Sequence, residues 1–300
     1  MKKIAVGLLV AILAVLSVEP VNAADNNTLV IIDTAVDATK IPNIIYEVCF
    51  TQEKTCSNKT NEQEGKDSAA VSKWSLGFNT KLSVDHGNQV AQAAVIANPN
   101  IKIIFIRIAD ERPTNIHWYS ESRQKAIEWV VKNTSKFGIK AVSMSQSTKD
   151  ASSTTLYTQI TCPNDVAFKS SLQSLLSQKV LVFAASGNDG KPGLGFPSCI
   201  PGVIAVGALK PSKTAKIPYT ATSFTEFASY SNYGQGLGAV ARGDSNVIMY
   251  GKTGSNVVTG TSIATPIAAS IVVGKIGSQT WDNFKLSLSK VLNYPYVANF

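Results

Sequence analysis

Asp33, His86, Asn188 and Ser262 are residues of this 300-residue chain whose types could do chemistry together. A serine hydroxyl is a poor nucleophile near neutral pH and needs a base within reach. Histidine serves as that base when a carboxylate fixes its tautomer and stabilises its imidazolium. An acyl-transfer intermediate also needs N–H donors aimed at its oxyanion, which the Asn188 amide and the Ser262 backbone could provide. Singly, each residue has a plainer role: Asp33 and Asn188 as turn residues, Ser262 as a helix N-cap. Whether they act together depends on the elements that carry them.

The stretch Gly260-Thr261-Ser262-Ile263-Ala264-Thr265-Pro266 puts Ser262 at the mouth of a helix. The residues after it are apolar on nearly every side, so that helix is expected to be buried. Pro266 is expected in its first turn, where a missing N–H costs nothing, and the helix dipole there favours developing negative charge. Leu29-Val30-Ile31-Ile32 reads as a strand buried on both faces of a parallel sheet, ending in Asp33. His86 precedes a largely apolar helix closed by Asn98-Pro99-Asn100, and Asn188 follows the strand Val180 to Phe183. The other histidine, His117, falls in the loop-like segment Pro113 to Trp118 and reads as a surface or partly packed residue.

The remaining pattern alternates. Ile44 to Phe50, Ile101 to Ile108, Lys140 to Met144 and Pro201 to Leu209 read as strands; Ser120 to Lys136, Val166 to Gln178 and Trp281 to Leu292 read as helices. Thr51 to Ser68 reads as a polar surface excursion, and residues 210–258 as Gly-, Ser- and Asn-rich connections with short apolar pieces. Strand–helix alternation predicts an α/β fold with a doubly wound, mostly parallel sheet flanked by helices in three layers. In such a sheet the carboxyl ends of the strands and the helix starts share one edge, and sites are built there.

A hydrophobic content of 44% supports one large core. Lys2 and Lys3, the apolar run Ile4 to Leu16 and the Val21-Asn22-Ala23 pattern predict a signal peptide over residues 1–23, leaving one domain over residues 24–300. Cleavage removes Lys2, Lys3 and Glu19, a net one positive charge, so +8 becomes +7. The basic residues are scattered, which argues against a nucleic-acid partner. After signal cleavage no membrane contact is expected, and the chain is expected to be exported, periplasmic or extracellular. Four cysteines in an exported chain suit two disulfides. Three pairings exist on paper; the sequence neighbours, Cys49 with Cys56 and Cys162 with Cys199, are the simplest. No Cys-x-x-Cys pair accompanies them, which disfavours zinc.

The order Asp, His, Asn, Ser in Val30-Ile31-Ile32-Asp33-Thr34, His86-Gly87, Ala185-Ser186-Gly187-Asn188-Asp189-Gly190 and Gly260 to Pro266 resembles the subtilisin-like serine peptidases. The resemblance implies a triad of Asp33, His86 and Ser262, with Asn188 in the oxyanion hole. It also implies peptide-binding segments at Ser145-Gln146-Ser147 and Ala185-Ser186-Gly187, a peptide or protein substrate, and no required cofactor. Structural calcium is common in that family, and the sequence assigns no ligands to it. Ala35 departs from the family's glycine, Gln89 and Gln92 replace its second histidine and a glycine after the catalytic one, and Ser147 replaces a pocket-lining glycine. Ser147 is expected to narrow or polarise that wall.

The leading expectation is an endopeptidase forming an acyl-enzyme on Ser262. A second reading is a binding protein on the same scaffold without turnover, since a fold alone does not establish function. An α/β-hydrolase-type esterase fits less well, because Ser262 lacks a Gly-x-Ser-x-Gly elbow. Between the expected cut and Asp33 lie only Ala24 to Ile32, so the exported chain is expected to fold without a prosegment.

Overall fold

The computed structural model describes residues 27–70, 86–111, 116–149, 156–158, 161–214, 220–248 and 254–297; the expected signal peptide, residues 1–23, lies outside them. β1 (Thr28–Asp33) is buried along its whole length. β2 (Ile44–Phe50) and the short β3 (Glu62–Glu64) follow, then helix α1 (His86–Ala97), β4 (Lys102–Arg107) and a hairpin of β5 (Ala109–Glu111) and β6 (Ile116–Trp118). The chain continues through α2 (Ser120–Phe137), β7 (Ile139–Met144), α3 (Val166–Ser177), β8 (Leu181–Ala185) and β9 (Ile204–Pro211). β10 (Phe224–Phe227), β11 (Leu237–Arg242) and the hairpin of β12 (Asp244–Ile248) and β13 (Ser255–Thr259) lead to α4 (Thr261–Lys275) and the single-turn α5 (Trp281–Phe284).

A nine-stranded sheet runs β3-β2-β4-β1-β7-β8-β9-β10, with β11 also paired to β9. All its pairs are parallel except β2 with β3 and β9 with β10. β1 sits where the strand order switches, with β4 and β2 on one side and β7, β8 and β9 on the other. A crevice opens at the carboxyl end of such a strand. Asp33 is the last residue of β1 and is therefore delivered into it.

Successive residues of a strand face opposite sides, so the buried runs feed two cores. Val30 and Ile32 pack with Ile104, Ile106 and Val142 under Ile127 and Val130 of α2 and Phe168 and Leu172 of α3. Leu29 and Ile31 pack with Ile103, Phe105 and Phe183 under Val90 and Ala94 of α1 and Ile263, Ile267 and Ile271 of α4. In α4 every residue from Thr261 to Val273 is buried, as its all-round apolar sequence requires. Each buried side chain of isoleucine size stabilises by about 1.5–3 kcal/mol, so three of them hold the helix that begins beside Ser262 firmly in place.

Four expectations need correction. Pro266 is the sixth residue of α4, beyond the first turn. Its missing N–H would have bonded the Ser262 carbonyl, and the Ser145 hydroxyl donates there instead at 2.8 Å. Trp281 to Leu292 is not one helix: after α5 come a 3-10 turn at Lys285–Ser287 and a small hairpin of β14 (Lys290–Val291) and β15 (Tyr294–Pro295). Its turn places Leu292 and Asn293 at φ 52° and 68°, and a leucine at the first of two left-handed positions is not a recognisable hairpin signal. His117 lies on β6, opposite Asp110, rather than in a loop. Residues 210–258 contain β10 and β11, which extend the main sheet; their short apolar pieces are flanked by turn residues and read as loop.

Both expected disulfides are present. Cys49 at the end of β2 joins Cys56, and Cys162 ahead of α3 joins Cys199 beyond β8. Peptide mapping of exported protein under non-reducing conditions should recover these two pairs and no other. Replacing Cys162 and Cys199 by serine should cost about 3–4 kcal/mol, against about 2 kcal/mol for Cys49 and Cys56, because a bridge across a longer loop constrains the unfolded chain more. Equal losses in denaturant melts would contradict the loop-closure account.

Candidate active site

Asp33 has no exposed surface. Its Oδ1 accepts a bond from Thr34 N at 2.7 Å and lies 2.7 Å from Nδ1 of His86. An ionised carboxylate can only accept, so Nδ1 carries the proton and Nε2 of the neutral ring is left as an acceptor. The position of His86 is set by its neighbour. Gly87 N donates to Thr34 Oγ1 at 2.7 Å, and a Cβ at residue 87 would collide with the Ala35 carbonyl oxygen. The His-Gly pair thus lets the start of α1 touch the backbone that follows β1.

Ser262 is the second residue of α4, nine-tenths buried, after Gly260 at φ 152°. A Cβ on Gly260 would lie 2.8 Å from Ser262 Oγ and 3.6 Å from Asn188 Nδ2, so glycine here keeps the space between those two atoms open. Thr261 N and Thr261 Oγ1 both approach Asn188 Oδ1 at 2.9 Å. A backbone N–H can only donate, which fixes the amide orientation and turns Asn188 Nδ2 outward as a free-facing donor. His86, Asn188 and Ser262 line one cavity, so the side chains singled out in the sequence converge.

The two predicted peptide-binding segments are placed differently. Ser145 and Ser147 line the Ser262 cavity. Gln146 Nε2 donates to the Ile32 carbonyl at 2.9 Å, tying this strand end back to β1. Ala185 and Ser186 are buried and are not among the residues that line this cavity; Ser186 Oγ donates to the Asn232 carbonyl at 3.0 Å. Gly187 stands at φ 117°, and a Cβ on it would strike Asn232 Nδ2. A second cavity of about 330 Å³ shares His86, Ser145, Ser147 and Thr148 with the first and is otherwise walled by Thr34, Ile116, Trp118, Arg123 and Gln146.

Several supporting residues escaped the sequence reading. Asn232 is fully buried; its Oδ1 accepts Asp189 N at 2.9 Å and its Nδ2 donates to Ser186 O at 3.2 Å, which shapes the loop bearing Asn188. The Tyr230 hydroxyl accepts Gly260 N at 3.1 Å and donates to Gly243 O at 2.8 Å. Burial raises its pKa to about 12, so it stays a donor near neutral pH. Gln92 pairs both ways with the Ile248 backbone, at 2.8 Å each, and so clips α1 to the hairpin that runs into Ser262. Lys149 Nζ meets Asp189 Oδ1 at 2.6 Å across the mouth of the cavity. Only Gln92 had a signal, as a departure from the family pattern. Among the described residues no three of His, Cys, Asp and Glu cluster to hold a metal ion.

Comparison with known proteins bears on the family and the fold. The chain is 32% identical to subtilisin BL of Lederbergia lenta over 116 residues, 38% of this chain and 39% of that one. It is 37% identical to halolysin of Haloferax mediterranei over 93 residues, 30% of this chain and 15% of that one, so the matched regions span well under half of these relatives. A cold-adapted subtilisin-like serine proteinase superposes with a TM-score of 0.60 at 16% identity, covering 91% of this chain and 88% of that one. The protease domain of PatA does so with a TM-score of 0.60 at 17% identity, covering 89% of each. At such identities the superpositions speak for the fold alone. The model of the subtilase family matches residues 24–276, and the chain belongs to the subtilase family.

Proposed function

We propose that the chain is an exported serine endopeptidase in which Ser262 is the nucleophile, His86 the general base and acid, and Asp33 the buried carboxylate that orients it. The observation that carries this reading is the 2.7 Å contact of His86 Nδ1 with Asp33, together with the one cavity that His86 and Ser262 both line. Membership of the subtilase family supports it. The two disulfides support export, since such bonds persist in oxidising compartments.

In this reading Ser262 Oγ attacks the carbonyl carbon of a peptide bond while His86 Nε2 takes the hydroxyl proton. The carbonyl oxygen becomes an oxyanion that accepts from Asn188 Nδ2 and from the Ser262 N–H at the helix start. Asp33 stays ionised and stabilises the imidazolium. His86 then gives its proton to the departing amine as the C–N bond breaks, leaving the acyl group on Ser262. Water enters, loses a proton to His86 and attacks the ester; the proton returns to Ser262 Oγ as the acid product leaves. These side chains supply every proton transfer, so the proposed reaction uses no cofactor. An extended peptide beside Ser145, Gln146 and Ser147 would present its carbonyl to this pair.

A fluorophosphonate probe should label Ser262 of the purified exported chain and no other serine. Labelling that survives Ser262→Ala would overturn the assignment. His86→Ala should abolish labelling and casein hydrolysis, whereas His117→Ala, on β6, should leave both near normal; equal losses would point to the wrong histidine.

Asn188→Ala should lower kcat by about 10²–10³, the range for losing one such donor in a subtilisin, with a much smaller change in KM. Because alanine also removes the bonds to Thr261, Asn188→Asp is the companion variant. It keeps an acceptor toward Thr261, lacks the donor, and should lose at least as much kcat. An Asp variant close to the original rate would show that Asn188 acts through Thr261 alone.

A further inference from the structure

The cavity beside Ser262, about 280 Å³ in volume, is bounded by Ser147, Thr148, Lys149, Leu156, Asn188 and Asp189. Ser262 and Asn188 face it together. A carbonyl held between them places the side chain of its own residue in this cavity. Ser147 forms one wall. A Cβ on Gly187 would lie 2.9 Å from Ser147 Oγ, and one on Gly195 would collide with it, so the hydroxymethyl rests on the bare backbone of both glycines. That seat closes the space between the strand end and the Gly187 loop and leaves the polar mouth as the open part.

Two groups of opposite charge occupy that mouth, and they are held very differently. Asp189 is fixed: Oδ1 accepts Lys149 Nζ at 2.6 Å, Oδ2 accepts Asn232 Nδ2 at 3.2 Å, and its backbone N–H donates to Asn232 Oδ1 at 2.9 Å. The hydrogen bond from Lys149 holds its carboxyl below the ordinary carboxylate range against the effect of burial, and Lys191 adds to this. Lys149 is half exposed, and its one bond to Asp189 leaves two ammonium N–H groups for another acceptor.

Building on the assignment of Ser262 as nucleophile, we propose that Lys149 makes this cavity a pocket for an acidic side chain, so that cleavage is favoured after glutamate or aspartate. A carboxylate entering the mouth can accept from the remaining N–H groups of Lys149 while Asp189 keeps its own bond, and repulsion from Asp189 offsets part of that gain. A lysine or arginine side chain reaches Asp189 only by displacing Lys149, an exchange of one ion pair for another. A large apolar side chain covers the ammonium and offers it no acceptor, which costs desolvation.

The test uses peptides that differ only in the residue before the cut: Glu, Gln, Leu or Lys. The kcat/KM for Glu should exceed that for the isosteric Gln by about two- to fivefold, the scale of one half-exposed ion pair, and the ratio should shrink as salt rises. Lys149→Met leaves Asp189 without its lysine and should bring the Glu to Gln ratio to one or below, and Lys149→Glu should favour Lys over Glu. A ratio of one or less in the original chain, or a ratio unchanged in Lys149→Met, would overturn the proposal. Product peptides ending in Glu or Gln, bound to the Ser262→Ala chain, read the same pocket without turnover. If no peptide were cleaved yet the Glu product bound more tightly, the endopeptidase reading would fail and the acidic pocket would stand. Equal binding of the two products would overturn the pocket alone.

Discussion

The contact between buried Asp33 and His86 is the constraint on which the rest of the structure depends. A carboxylate without exposed surface is tolerable only if it is hydrogen-bonded, and here the donors are the next residue's N–H and an imidazole from 53 residues further along the chain. To bring them together, β1 must end at the switch point of the sheet and α1 must start against it. Thr34 and Gly87 make that approach: one accepts the other's N–H, and the missing side chain lets the Ala35 carbonyl come close. The two apolar cores on either face of the sheet supply the burial that holds this geometry.

The nucleophile side is assembled differently, by polar ties among loops. Gly260 is held by Tyr230, Thr261 by Asn188, and the Ser262 carbonyl by Ser145. The last tie exists because Pro266 withdraws the helical N–H that would have occupied that carbonyl. Gln92 performs a comparable substitution. Where the family pattern has glycine, its amide acts like one more strand residue beside Ile248 and joins the histidine's helix to the serine's hairpin. This departure from the family pattern is thus a structural link between the two halves of the motif.

Charge in the site follows position. Asp33 is enclosed and meets His86; Asp189 is anchored by Asn232 and meets a half-exposed lysine at the cavity mouth. Two aspartates on one face of the molecule therefore differ in what they can offer a substrate. The inner one is committed to the histidine, and the outer one already has its lysine, so the unspent hydrogen-bonding capacity at the mouth is cationic.

By itself the sequence determined the buried parallel strands, the helices beginning at His86 and beside Ser262, and the sites of both disulfides. These follow from short-range signals: continuous β-branched runs, apolar periodicity, glycine and proline punctuation and cysteine spacing. The convergence of Asp33, His86, Asn188 and Ser262 was legible because strand ends and helix starts share one edge of a doubly wound sheet. The closing hairpin was not, since a leucine occupies a left-handed turn position that tertiary packing imposes. Nor were β10 and β11, whose short strands gain their pairing from β9 rather than from their own composition. The roles of Asn232, Tyr230 and the Lys149–Asp189 pair were decided only by the tertiary structure. Each depends on partners between 13 and 46 residues distant in the chain, and a polar residue among glycines and serines carries no local sign of what it will touch.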